Sequence, residues 1–277
     1  MAATPDQTPL VELPYGTRQR IVVVPDDVLE AENDPSLAGD QDRPRRPWGA
    51  LRGDPRHPTL KALKEAEDDG LRLLPVSQSH VGQLDMPLGH PLPNVVYIGS
   101  PAVAERYYAM ADFHVRVFEE RFGEAMRLLM ALGAERLTVR SQHGWKRDIS
   151  ANIEAPIKRT LKNRAELRIG SRRDRSLVFE AELLPATLPE IPNGLVWFNH
   201  EPTWQAVAEG RARYGLREFQ LQVTSREDFG INADVASKVR QRKVLDLGGG
   251  FTQHVDTSWL LEGTFGEAPK RGWRRGA

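Results

Sequence analysis

The sequence predicts an α+β fold: a long amphipathic helix packed on a strongly curved antiparallel sheet of long strands. Three observations predict it. Residues 103–132 place Tyr108, Ala111, Val115, Phe118, Phe122, Ala125, Leu129 and Leu132 at alternating steps of three and four, which is a single stripe of an α-helix. Beyond Gly133 the apolar period drops to two. Leu137, Val139, Trp145, Ile149, Ala151, Ile153, Ala155 and Ile157 take odd positions, with Thr138, Arg140, Asp148, Ser150, Asn152 and Glu154 between them. That is strand alternation with one buried and one wet face. The alternation then returns over 167–183, 219–235 and 245–265. Runs of about 20 residues exceed the five or six of an ordinary strand, so such strands bend strongly or conceal hairpins.

Taken in order, residues 1–20 carry no apolar period and are expected to be loose. RIVVV (20–24) is a β-branched strand stopped by Pro25. Residues 30–56 are rich in Asp, Pro, Gly and Arg and read as irregular. TLKALKEAEDD (59–69) is a helix closed by Gly70, and 71–76 is a short strand. Residues 77–94, with Pro87, Pro91 and Pro93, are loop. VVYI (95–98) is a buried strand that leads into the long helix, for which Ser100 is the cap, Pro101 the first position and Gly133 the exit. At about 1.5 Å per residue this helix spans roughly 45 Å. Its shoulder of Met110, Phe113, Val117, Met126 and Met130 makes a stripe wide enough for a sheet. Arg106, Arg116, Glu120, Glu124 and Arg127 fall mostly off the stripe. Residues 170–176, GSRRDRS, interrupt the second alternating run as a hairpin turn or a polar insert. A second helix, 203–214, ends at Gly215, and the tail from 268 is basic and loose. No composition shift divides the chain, so a single domain, 1–277, is expected.

Composition excludes several chemistries. The 277 residues include 38 basic and 38 acidic side chains and no cysteine. Disulfides, thiolate catalysis and sulfur-based zinc sites are thereby excluded. Zero net charge draws the chain to no polyanion as a whole. No apolar run approaches a membrane-spanning helix, and residues 1–10 lack the pattern of a signal peptide, so the expected compartment is the cytoplasm.

Motifs for catalysis are sparse, and no catalytic residue is assigned. VLDLGGGFT (244–252) resembles the first motif of class I methyltransferases and the phosphate loop of actin-like ATPases. A methyltransferase requires several βα units after that loop, whereas 25 residues follow here and alternate as a strand. The glycines are therefore read as a bulge, a bend or close backbone packing, and no cofactor is expected. His254 and Asp256 share one face of that run, but two ligands do not make a metal site. His143, His200 and Glu201 join them only if the fold collects them. His114, beside Asp112 and near Phe118, reads as a hydrogen-bonded structural histidine. No metal is assigned.

The strongest functional signal is charge. Residues 158–175 hold Lys158, Arg159, Lys162, Arg164, Arg168, Arg172, Arg173 and Arg175 against Glu166 and Asp174, a net +6 in a neutral chain. The run links the first two alternating segments and suits anionic lipid head groups or an acidic protein surface. No aromatic residue interleaves it, which argues against single-stranded nucleic acid, and nothing points to sequence-specific nucleic-acid binding. Trp197, Trp204 and Trp259 are expected to close one end of the core and to line any pocket there.

Long bent antiparallel strands beside a helix resemble, by fold analogy alone, gasdermins and perforin-like proteins. The expectation is a non-enzymatic assembling protein, a homo-oligomer that acts on membranes. The alternative is a soluble ligand- or protein-binding module with a helix-gripping sheet. An enzyme is the least supported class.

Overall fold

The computed structural model describes residues 9–33, 57–144, 165–169, 176–184 and 189–267. In chain order its helices are α1 (Tyr15–Arg18), α2 (Asp26–Asn33), α3 (Pro58–Asp68), α4 (Phe113–Ala131), α5 (Pro202–Tyr214) and α6 (Ala233–Arg240). Its strands are β1 (Arg20–Val24), β2 (Leu74–Ser77), β3 (Val96–Gly99), β4 (Tyr107–Ala109), β5 (Ala134–His143), β6 (Ala165–Ile169), β7 (Leu177–Leu183), β8 (Glu218–Ser225) and β9 (Thr257–Phe265). The fold is α+β. The chain divides into two compact units, residues 1–116 with 228–254, and residues 117–227 with 255–277.

The first unit is built on a four-stranded sheet in the order β2-β1-β3-β4. β1 pairs parallel with β2, and β1–β3 and β3–β4 are antiparallel. A parallel pair needs a long crossover, and residues 25–73, with α2 and α3, make that connection. The β-branched run Ile21 to Val24 is fully buried, as befits a strand covered on both faces. α3 starts with Pro58 at its first position, and the Thr59 N–H donates to His57 Nδ1. It ends before Gly70, whose φ of 75° is the left-handed exit. Residues 9–19, expected to be loose, are anchored: Leu10 joins the core and the Tyr15 hydroxyl donates to the Gly99 carbonyl.

The second unit is an all-antiparallel sheet in the order β6-β7-β5-β9-β8. Phe118, Phe122, Ala125 and Leu129 of α4 are buried, as are Leu137 and Val139 of β5, Phe179 of β7, Leu221 of β8 and Trp259 and Leu261 of β9. The Trp259 ring meets Phe118 and Phe122 edge to face, with centroids 5.4 and 5.0 Å apart.

Three expectations are corrected. The long helix begins at Phe113, so the rod is 19 residues and about 28 Å long. Tyr107–Ala109, its expected first turns, is β4 instead. The Ser100 hydroxyl does accept from the N–H groups of Ala102 and Val103, but it closes a turn between β3 and β4 rather than a helix. The run 219–235 breaks after β8, because Asn232 caps α6 by accepting from the Val235 N–H. The run 245–265 is strand only from Thr257. In place of one sheet of very long strands, the described residues form two sheets whose longest strand has ten residues, and the continuation of the first run over 145–157 lies outside the described residues. Gly133, with φ 86°, ends α4 as expected, and the aromatic stripe is buried along its length.

Candidate functional site

The register of the second sheet gathers several chain ends on one side. Arg140 of β5 lies opposite Leu177 of β7, and Ile169 of β6 lies opposite Phe179. His143 lies opposite Ser258, and Ser225 opposite Thr257. The last residues of β5, β6 and β8 therefore share one end of the sheet with the first residues of β7 and β9. β6 and β7 are antiparallel neighbours, and residues 170–175 stand between them in the sequence. Arg172, Arg173 and Arg175 belong to that stretch. They lie outside the described residues, as do Lys158, Arg159, Lys162 and Arg164; Arg168 is on β6 in register with Glu180.

On the polar face near this end the described side chains form a linked network. Gln222 Nε2 donates to Gln142 Oε1 at 2.7 Å and to Ser258 Oγ at 2.6 Å, and Ser258 Oγ donates to Gln142 Oε1 at 2.8 Å. Arg140 pairs with Glu262 at 3.2 Å and donates to Ser176 Oγ. Gly144 has φ 86°, and a Cβ there would stand 2.3 Å from Thr257 Oγ1. Only glycine admits so close an approach of the β5 exit to the start of β9.

The three tryptophans of the expected pocket are all buried. Trp259 belongs to the β9 layer under α4. Trp204 is the buried face of α5, and its indole N–H has no acceptor among the described residues. Trp197 lies beneath the Arg121 guanidinium, 5.0 Å from its ring, and its N–H likewise has no acceptor among the described residues. Arg121 is ion-paired with Glu201.

A buried carboxylate escaped the periodicity argument. Glu124 is only 4% exposed, although the helical spacing placed it mostly off the apolar stripe. Its two oxygens accept from the backbone N–H groups of Val196 (2.8 Å) and Phe198 (2.7 Å) and so hold the Trp197 loop against α4. Arg211 is a second buried brace. It donates to the carbonyls of Leu132, Leu216 and Gly266 and stacks on Phe265. The sequence carries a Glu and an Arg at helical spacing, but their partners are distant backbone atoms, which leave no motif.

The remaining candidates lie mostly in the first unit and read as structural. The backbone of the glycine motif runs beside β3. The Val96 N–H donates to the Asp246 carbonyl, the Asp246 N–H to the Asn94 carbonyl and the Ala111 N–H to the Leu247 carbonyl. A Cβ on Gly248 would stand 2.7 Å from the Ala109 Cβ, so the motif supplies close backbone packing. His114 is buried, and its Nε2–H donates to the Ile231 carbonyl at 2.6 Å. Burial holds its pKa below the ordinary value; the hydrogen bond to Ile231 opposes this, and the neighbouring His254 lowers it further. The His114 and His254 rings meet edge to face at 5.2 Å. His143 and His200 lie in the second unit, both exposed. No three His, Asp or Glu side chains among the described residues form a group suited to a metal ion.

One polar cluster was not anticipated. Ser77 Oγ lies within hydrogen-bonding distance of Ser79 Oγ and of His80 Nδ1, and Asp26 Oδ1 accepts from the Ser79 N–H. That backbone bond holds the Asp26 carboxyl below its ordinary range. The described contacts tie the β2 exit to the start of α2. Comparison with known protein families, curated proteins and solved structures finds no match to this chain.

Proposed function

We propose that this chain is a non-enzymatic assembling protein that acts at anionic membranes through the hairpin end of its antiparallel sheet. In this reading the sheet curves round α4, following the plan that gasdermins and perforin-like proteins resemble by fold analogy. The observation that carries it is the antiparallel pairing of β6 with β7, which joins them through an insert bearing Arg172, Arg173 and Arg175. The run 158–164 precedes β6 in the sequence, so the stretches before and after this strand are both basic.

Each exposed cation near an anionic leaflet contributes about 1 kcal/mol, less as salt shortens the Debye length. Wild-type protein is expected to sediment with phosphatidylserine or cardiolipin vesicles at low salt and to release a trapped dye. Reversing Arg172, Arg173 and Arg175 together to Glu is expected to abolish sedimentation while leaving Tm nearly unchanged. Wild-type protein that ignores such vesicles overturns the membrane reading.

A soluble binding module is the second reading, and one observation favours it. The exposed Gln142 and Gln222 are pre-arranged by their bonds to each other and to the buried Ser258, as suits recognition of a polar surface such as an acidic protein. That reading expects binding to survive in detergent-free solution without lipid and to weaken in Gln222→Ala.

A further inference from the structure

β8 ends the second sheet: it pairs with β9 on one side and with no described strand on the other. A strand of eight residues with one edge that no described strand covers is a template for another strand. Natural edges are guarded by charge, and here the charges sit at the two ends. Arg217 and Glu218 precede the strand's apolar core, and Arg226 and Glu227 follow it. All four side chains are exposed, and none has an ion-pair partner among the described residues.

We infer that β8 pairs antiparallel with β8 of a second copy of this chain, about a two-fold axis at Gln222, to give a continuous ten-stranded sheet. Charge complementarity selects both the occupant and the register. With Gln222 opposite its own copy, Glu218 faces Arg226 of the other copy and Arg217 faces Glu227, and symmetry repeats both pairs. Every charge flanking the strand then meets an opposite charge. Moving the centre to Leu221 leaves all four charges facing uncharged residues. Moving it to Val223 sets Glu218 against Asp228. Within the selected register Gln220 faces Thr224, Leu221 faces Val223 and Phe219 faces Ser225, so buried-face residues stay on one side and polar residues on the other. An isologous contact of this kind is self-limiting, because the same patch serves both partners.

This inference rests on the assembling reading only in treating the chain as one that meets copies of itself; it needs neither a membrane nor the basic insert. The test is sedimentation equilibrium of the full chain without lipid, over a concentration series. Wild-type protein is expected to approach twice the 31.1 kDa chain mass as concentration rises. Arg226→Glu sets carboxylates against each other at both ends and is expected to weaken the dimer about tenfold, since like charges directly opposite are destabilising. Combining it with Glu218→Arg restores opposite charges and is expected to return the dimer to near wild-type affinity. A wild-type chain that stays monomeric, a dimer indifferent to Arg226→Glu, or a double variant that fails to recover each overturns the pairing. Vesicle sedimentation of the same proteins is scored separately. Wild-type protein that binds vesicles but stays monomeric refutes this interface alone, and wild-type protein that dimerises but ignores vesicles refutes the membrane reading alone.

Discussion

Replacing Glu124 tests the most consequential polar contact in the second unit. Its carboxylate is 4% exposed and accepts two backbone N–H groups, from Val196 and Phe198, at 2.8 and 2.7 Å. Hydrogen bonds to a charged group contribute roughly 1.5–3 kcal/mol each. Both donors sit on half-buried residues, so water recovers part of the loss when the acceptor is removed. Glu124→Ala is therefore expected to destabilise by about 3 kcal/mol. Glu124→Gln keeps one acceptor oxygen but turns an amide N–H₂ towards the second donor, and is expected to cost about half as much, ~1.5 kcal/mol. Urea unfolding measures both, with an unchanged denaturant slope showing that the unfolded state is not altered. The local readout is Trp197, which lies between the two bonded residues and is 6% exposed. Its emission, isolated by difference against Trp197→Phe, is expected to shift to the red in Glu124→Ala as the loop opens. A Glu124→Ala protein within about 0.5 kcal/mol of wild type, the range of an ordinary surface change, refutes the claim that this carboxylate holds the loop.

Phe122 is 1% exposed and packs on Trp259, so Phe122→Ala is expected to cost roughly 3–5 kcal/mol in the same assay; a soluble, normally stable Phe122→Asp protein contradicts this. Gly248→Ala forces a Cβ to within 2.7 Å of Ala109 at φ 78° and is expected to cost about 1–3 kcal/mol, whereas Gly250→Ala, with nothing within 4 Å, is close to neutral; equal effects at the two positions refute the packing role of the motif. His114 is held below its ordinary pKa, chiefly by burial, so its contribution is fully present above the unfolded value of about 6.5 and is lost as pH falls from there through the folded pKa. Unfolding free energy measured from pH 8 to pH 5 is expected to fall more steeply for wild type than for His114→Gln, and parallel curves would exclude the effect.

Where one face of an element is wet, the sequence foretold the structure closely. Leu137 and Val139 of β5, Phe179 and Ala181 of β7, Trp259, Leu261 and Phe265 of β9 and the stripe of α4 are buried as their spacing requires. The failures share a cause. Tyr107, Tyr108 and Ala109 are all buried, and a strand covered on both faces shows no alternation, so its apolar residues merged with the helical stripe that follows. Phe229, Ile231, Ala233 and Val235 kept the parity of β8, yet Asn232 turned them into a cap and a first helical turn. Leu245 and Leu247 alternate because that segment lies beside β3, where Asp246 bridges Val95, without becoming a named strand. The hairpin reading of 167–183 survived because a polar insert between two alternating runs has few other solutions. Glu124 was invisible to pattern, since a carboxylate facing backbone N–H groups 72 and 74 residues away has no local signature.

The interleaving of the two units has a consequence for biosynthesis. Residues 228–254 belong to the first unit but are translated between β8 and β9 of the second. A nascent chain that has reached residue 227 lacks the Asp246 and Leu247 backbone groups that bond to Asn94, Val96 and Ala111. It also lacks β9, the neighbour of both β5 and β8. Domain-by-domain folding from the N-terminus, the usual order during synthesis, completes neither unit by residue 227, because the first waits for residues 228–254 and the second for β9. A chain that stops at residue 227 has all four strands of the first sheet but not the partners of Asn94, Val96 and Ala111, and it leaves unpaired the β5 and β8 edges that β9 covers, which are templates for wrong association.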